Sequence, residues 1–271
     1  MGFILATAGA AIGLGNLWKF PYLMGRNGGF PFLAAYLFFI CLLGIPVMIT
    51  EMSLGRKTGH NPVLAYDTVH PRARIAGCFG VLAAFFILSY YAVIGGWIIK
   101  YFISYTFTFQ APKDFNAFIG HPTEPLFWFF LFMLFTGLIC YFGVSGIEKA
   151  SKFMMPALFI ILLAIILRGV TMPGASEGLA FIFSPKLGDF DLNSVSAALG
   201  QVFYSLSLCM GITITYGSYL GKDVDIPKGC LQIALLDTCM AVLAGIAIFP
   251  AVFSCGLEPA SGPGLIFVLP K

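Results

Sequence analysis

The chain is 271 residues long, 59% hydrophobic and only 10% charged, with a mean hydropathy of +0.93. A soluble domain carries roughly 25% charged residues, so a water-soluble globule is excluded and an integral membrane protein is indicated. Fifteen Lys and Arg against 12 Asp and Glu give a net charge of +3, which provides no basic surface for DNA or RNA. The seven cysteines (41, 78, 140, 209, 230, 239 and 255) are scattered through apolar segments without a CxxC pair or a His at ligand spacing. They read as small buried hydrophobes.

Apolar runs of about 20 residues, the length that crosses the hydrocarbon core at 1.5 Å per residue, mark seven spans. They cover residues 2–25, 29–55, 75–108, 125–144, 150–170, 194–220 and 226–256. The first has Lys19 after its apolar run rather than a basic region before it, and no small-residue cleavage site. It is a true span, not a signal peptide. Its middle, Gly9-Ala-Ala-Ile-Gly-Leu-Gly-Asn16, holds three glycines that make a continuous helix costly. A helix broken at mid-bilayer is tolerated only where the freed backbone groups line a cavity.

Charges and helix breakers collect in the loops: residues 56–74 with His60, Pro62, His70 and Pro71, then 110–124, 146–149, 173–191 and 221–225. The cluster Arg56, Lys57, Arg72 and Arg74 places the first of these loops, and hence the N-terminus, on the cytoplasmic side of the cell inner (plasma) membrane. A second interruption lies in the sixth span at Tyr204-Ser-Leu-Ser-Leu-Cys-Met-Gly211. Taken alone it also fits a packed helix whose serines bond back to their own carbonyls. Two interruptions five spans apart fit an inverted repeat that brings both breaks to one midplane site, as in secondary transporters.

Several motifs together resemble the neurotransmitter:sodium symporters, the sodium- and chloride-dependent transporters, and in particular their bacterial amino-acid branch. They are residues 9–21 (GAAIGLGNLWKFP), Asn27-Gly-Gly29, Gly44-Ile-Pro46 with Glu51 and Gly55-Arg56, Tyr90-Tyr91, Gly146-Ile-Glu-Lys149, and residues 201–219. The resemblance implies an all-α polytopic membrane protein with a LeuT-like inverted-repeat fold. This chain would supply the first five-helix repeat and the first two helices of the second, with helices one and six broken at mid-membrane. It starts at the first span, without the family's cytoplasmic arm, and residues 257–271 resemble the start of an extracellular loop. The expectation is an N- and C-terminally truncated single transporter domain. Sodium-coupled symport of a neutral, hydrophobic amino acid by alternating access is the implied function. The alternative is a non-transporting membrane fragment with at most partial substrate binding.

The resemblance also implies the site. The free N–H groups of Gly13, Leu14 and Gly15 would form a positive helix end for the substrate carboxylate, joined by the Tyr91 hydroxyl. The carbonyls of Ala11, Tyr204 and Ser205 and the Ser207 hydroxyl would accept from the ammonium, and Ile87, Tyr204 and Met210 would form the side-chain pocket. Gly13 stands where amine transporters of the family carry an acidic residue, which favours a substrate that brings its own carboxylate. A first sodium would bind Ala11, Asn16, Ser205 and Asp237, and a second would take the carbonyls of Gly9 and Ile12, its other ligands belonging to an eighth span. Lys19, Tyr91 and Tyr204 would form the outer gate. Many relatives carry Asn where this chain has Asp237. With Tyr36, Gln201 and Ser205 at the positions of the chloride ligands, the carboxylate would replace chloride, so chloride is not expected to be required. Sodium is co-transported, the partners are the amino acid and the lipid bilayer, and no organic cofactor or nucleic acid is implied. Glu51, inside a span, reads either as satisfying free groups of a broken helix or as a protonated carboxyl hydrogen-bonded inside the bundle with no transport role. Cys209 replaces a glycine common among relatives.

Two enzyme readings fail. Gly174-Ala-Ser-Glu-Gly178 fits the nucleophile pattern GxSxG but lies in a polar loop after Pro173, with no preceding strand. An intramembrane aspartyl protease needs two aspartates, and only Asp237 lies within a span.

Overall fold

Proline and glycine set most of the helix limits in this computed structural model, which describes residue 9 and residues 11–108, 115–184 and 191–256. The opening of the first expected span and the expected outer segment 257–271 lie outside the described residues. Regular structure among the described residues is entirely helical. A π-helical turn, Gly15–Lys19, runs into Phe20–Arg26, and the two together are α1. Asn27 closes it, donating from Nδ2 to the Leu23 carbonyl at 2.7 Å.

Helix α2 (Phe30–Thr58) is 29 residues long and contains Pro46, which has no N–H to give the preceding turn. A π-helical turn at Ile40–Gly44 lies just before the proline and widens the helix where the ladder is interrupted. Gly59 ends the helix in the left-handed conformation (φ 65°), its N–H returning to the Gly55 carbonyl at 2.8 Å. There follow α3 (Pro62–Val69), α4 (Arg74–Thr108), α5 (Phe115–Gly120), α6 (Glu124–Tyr141), α7 (Gly143–Val170), α8 (Ala175–Phe183), α9 (Leu192–Ser205), α10 (Ile212–Ser218) and α11 (Ile226–Ser254). Among the described residues, five helices are long and apolar enough to cross a membrane: α2, Pro71–Phe107, α6, Ser145–Val170 and α11. The chain between α9 and α10 and the start of α1 are interrupted, so neither stretch forms one long helix.

Three expected loops contain helices. Within residues 56–74, Asn61 accepts from the Leu64 N–H at 3.0 Å, and Pro62 opens α3. Within 110–124 lies α5, and within 173–191 lies α8. The fourth expected span also ends earlier and the fifth starts earlier than the charge pattern suggests. Gly143, at φ 61°, makes the reversal, and the expected loop 146–149 is helical. Its charges sit on the first turns of α7, where Glu148 pairs with Lys152 one turn on at 2.8 Å.

Burial is uneven. More than half of the α11 apolar window is buried (56%) but none of that of α6 (0%), so the core lies among α1, α2, α9, α10 and α11. Phe20, Phe32 and Tyr36 are fully enclosed there, with the Phe20 and Tyr36 rings 5.0 Å apart, edge to face. The tightest backbone approach is between α2 and α10. A Cβ on Gly55 would strike the Ile214 carbonyl and one on Gly217 the Met52 carbonyl. Two small residues facing each other let the helices meet backbone to backbone. That clamp carries α10 and fixes where the second break falls.

Candidate functional site

At the first break the chain bends at Ile12 and Gly13 and becomes helical again at Leu14. Asn16 does most of the work there. Its Oδ1 accepts from the Gly13 N–H at 3.4 Å, while the Asn16 and Leu17 N–H groups return to the Gly13 carbonyl at 3.1 and 3.2 Å. This is one half of a capping box, the side chain three residues on accepting from the N–H of Gly13 as the cap. The Gly13 N–H thus has an internal partner, which differs from the expected three free groups. Gln201 donates from Nε2 to the Gly15 carbonyl at 3.2 Å, tying α9 to α1.

The second break is wider. Helix α9 stops at Ser205, and Ser207 (φ 54°) and Cys209 (φ 61°) take left-handed conformations that side chains rarely adopt. Gly211 (φ 74°) then opens α10, its Cα pressed against the Pro62 ring so closely that a Cβ would overlap it. The Ser207 N–H bonds to the Tyr204 carbonyl at 3.3 Å and the Leu208 N–H to the Phe203 carbonyl at 2.9 Å. Among the described residues the Ser205 and Leu206 carbonyls have no backbone partner. From α2, the buried Glu51 braces the segment: Oε1 accepts from the Cys209 N–H at 3.1 Å and Oε2 from the Thr213 hydroxyl.

Between the breaks lies Asp237, fully buried on α11. Asn16 Nδ2 donates to its Oδ1 at 2.8 Å and to its carbonyl at 2.9 Å. The Ser205 and Tyr36 hydroxyls donate to Oδ2 at 2.7 and 3.1 Å. Among the described residues no Lys or Arg pairs with this carboxylate. A buried carboxylate with donors but no counter-cation leaves its charge uncompensated.

Next to this cluster is a cavity of about 300 Å³. Its walls bring together Gly9, Ala11, Ile12, Gly13 and Gly15 from the first break with Ile87 and Tyr91 of α4 and with Tyr204, Ser207 and Met210 of the second break. Leu14, Asn16, Ser205 and Asp237 are not part of that lining. Asn16, Ser205 and Asp237 are buried, and Leu14 is half-buried. A side chain at Gly13 would meet nothing within 4 Å, so its missing side chain is open space in the cavity. The Tyr91 hydroxyl lies near Gly15, 3.6 Å from where a Cβ would stand. Lys19 Nζ rests 3.4 Å from the centre of the Tyr204 ring. Gly9 packs on Ser151 of α7, where a Cβ would come 2.9 Å from the serine Oγ.

Ala84, Leu88 and Ile212 also line the cavity and were not singled out from the sequence. Ala84, Ile87, Leu88 and Tyr91 follow i, i+3, i+4, i+7 spacing, the stripe of one helix face. That stripe is masked because α4 is apolar on every face.

Two broken helices facing each other across a cavity, with a carboxylate beside it, define the architecture of a secondary transporter. The Sodium:neurotransmitter symporter family matches this chain over residues 1–118 and 107–268. The chain belongs to that family, one of membrane transporters. It is 42% identical over 281 residues to the uncharacterized sodium-dependent transporter YhdH of Bacillus subtilis, covering 100% of this chain and 62% of the relative. An uncharacterized sodium-dependent transporter of Haemophilus influenzae is 37% identical over 285 residues, covering 98% of this chain and 62% of its own. Among solved structures, the crystal structure of MhsT in complex with L-phenylalanine superposes with a TM-score of 0.94 at 46% identity, over 99% of this chain and 63% of that one. The chain therefore spans somewhat under two thirds of the length of these relatives.

Proposed function

We propose that this chain belongs to a sodium-coupled symporter of neutral, hydrophobic amino acids, with the substrate held in the cavity between the two breaks and released by alternating access. The observation that carries the reading is Asp237, a fully buried carboxylate with three side-chain donors and, among the described residues, no cationic side chain paired with it. A hard monovalent cation with oxygen ligands fits that environment. Asp237, the Asn16 side-chain oxygen, Ser205 and the Ala11 carbonyl would hold the first sodium ion. Gly9 and Ile12 would contribute carbonyls to a second.

The substrate carboxylate would sit at the start of the second half of α1, against the N–H groups of Leu14 and Gly15 and the Tyr91 hydroxyl. With Gly13 capped by Asn16, its N–H is a secondary donor. The Ser205 carbonyl and the Ser207 hydroxyl would take the ammonium. The Tyr204 carbonyl already accepts from the Ser207 N–H and would use its second lone pair. Ala84, Ile87, Leu88, Met210 and Ile212 make the rest of the wall apolar, which selects an apolar side chain. MhsT is a relative solved with L-phenylalanine, so that amino acid is the first to test. Helices α1, α2, α9, α10 and α11 would move as one body against α4, in a plasma membrane with the N-terminus cytoplasmic.

Chloride enters the same reading. The Tyr36 and Ser205 hydroxyls already donate to Asp237, and the Gln201 amide is turned to Gly15. The carboxylate would supply the charge that chloride provides in other members. The test is sodium-driven uptake of L-phenylalanine by the full-length protein in proteoliposomes, with and without chloride. Wild-type uptake is expected to need sodium and ignore chloride, and Asp237→Asn is expected to need both. Chloride-insensitive uptake by Asp237→Asn would remove Asp237 from that role.

A further inference from the structure

The turn between α3 and α4 carries charge that the candidate site does not use. Residues 56–74 hold Arg56, Lys57, Arg72 and Arg74 against a single acid, Asp67. Arg56 is engaged, donating from Nη1 to the Val224 carbonyl at 2.6 Å. Arg72 and Arg74 are exposed, and among the described residues neither pairs with a carboxylate. His70 shapes the turn that presents them: its Nδ1 accepts from the Arg72 N–H at 3.1 Å, and Pro71 opens a short 3-10 turn that leads into α4. From that turn an apolar stripe runs along the helix. Ile75, Phe79, Leu82 and Phe86 follow i, i+4, i+7, i+11 spacing and are between 46% and 67% exposed. At 3.6 residues per turn they lie on the face of α4 opposite Ala84, Leu88 and Tyr91, which line the cavity.

We propose that this turn and stripe form a binding site for an anionic membrane phospholipid, the headgroup phosphate held by Arg72 and Arg74 and an acyl chain laid along Ile75, Phe79, Leu82 and Phe86. The charges match, because a guanidinium fork takes two phosphate oxygens at once, and unpaired cations at the end of an apolar span find their counter-charge in acidic headgroups. The length matches as well. From Ile75 to Phe86 the helix rises about 16 Å, close to one leaflet of a hydrocarbon core about 30 Å thick. The same corner supports the second break from its other side. The Pro62 ring presses on Gly211, and a Cβ on Gly80 would strike the Cys209 carbonyl. A lipid bound on the outside of the corner therefore bears on the packing that seats the break.

The inference rests on the chain being a membrane protein and is independent of what the cavity carries. In the full-length protein, Phe79→Trp places a fluorescent reporter in the stripe. Its quenching in vesicles is measured with phosphatidylglycerol or phosphatidylcholine brominated on the acyl chains, after subtraction of the signal of the parent protein. Phosphatidylglycerol is expected to bind about five- to twentyfold more tightly than phosphatidylcholine. Arg72→Gln with Arg74→Gln is expected to abolish that preference. Lys222→Gln with Lys228→Gln removes the same charge from exposed positions elsewhere in the chain and is expected to leave it unchanged. Equal binding of the two lipids would overturn the site, and so would an equal loss of preference in both double variants, which would mark a general effect of charge. Absence of quenching by either lipid would show the stripe to be covered by protein and would overturn it too.

Discussion

Glu51 shows how a single buried acid can hold an irregular backbone. It receives the Cys209 N–H and the Thr213 hydroxyl, two donors on the far side of the break from Tyr204. Removing it would leave the buried Thr213 hydroxyl without its acceptor, at about 1–3 kcal/mol, and free the N–H of the exposed Cys209 at a smaller cost. Glu51→Ala is therefore expected to lower the thermal unfolding temperature of the purified protein in detergent. Glu51→Gln keeps an acceptor for Cys209 and turns its amide toward Thr213, and is expected to recover most of the loss. Equal unfolding temperatures for wild type and Glu51→Ala would show that the brace contributes nothing. At this scale the sequence was informative about type and silent about partner. An acid inside an apolar span is legible, and so is its use in satisfying a broken helix. The capping of Gly13 by Asn16 was not, because it depends on where the bend falls by one residue.

Among the elements, the segment between α9 and α10 stores conformational strain. Cys209, at φ 61°, occupies a backbone region that costs a residue with a Cβ about 1 kcal/mol or more, and glycine far less. Cys209→Gly is expected to relieve this and raise stability by about 1 kcal/mol, less any gain in unfolded-chain entropy, read from chemical unfolding. A stability loss comparable to a buried-cavity substitution would mean that the thiol packs more than the backbone strains. Both breaks were legible as glycines and small polar residues inside apolar runs. The short helices α3, α5 and α8 were not, since six to nine residues carry too few turns to show a period. The α6 to α7 reversal was misplaced for a related reason. Glu148 and Lys149 look like loop residues, but a helix projecting beyond the apolar layer carries charge as readily as a loop does.

For the molecule as a whole, the two breaks and Asp237 are joined through hydrogen bonds rather than merely placed side by side. Asn16 links the first break to α11, Ser205 links the second break to the same carboxylate, and Gln201 links α9 back to α1. A cation bound at Asp237 would therefore fix both breaks together and preform the cavity for its substrate, which is positive coupling between two ligands. By linkage, the substrate would raise the affinity for sodium by the same factor. The most direct measurement is equilibrium binding of radiolabelled L-phenylalanine to the purified full-length protein in sodium and in potassium, for wild type and Asp237→Ala. The expected result is saturable binding in sodium, little in potassium, and none in either salt for Asp237→Ala at unchanged helical content. Equal wild-type binding in the two salts, or sodium-dependent binding that survives Asp237→Ala, would contradict the assignment of Asp237 as the centre of the coupled site.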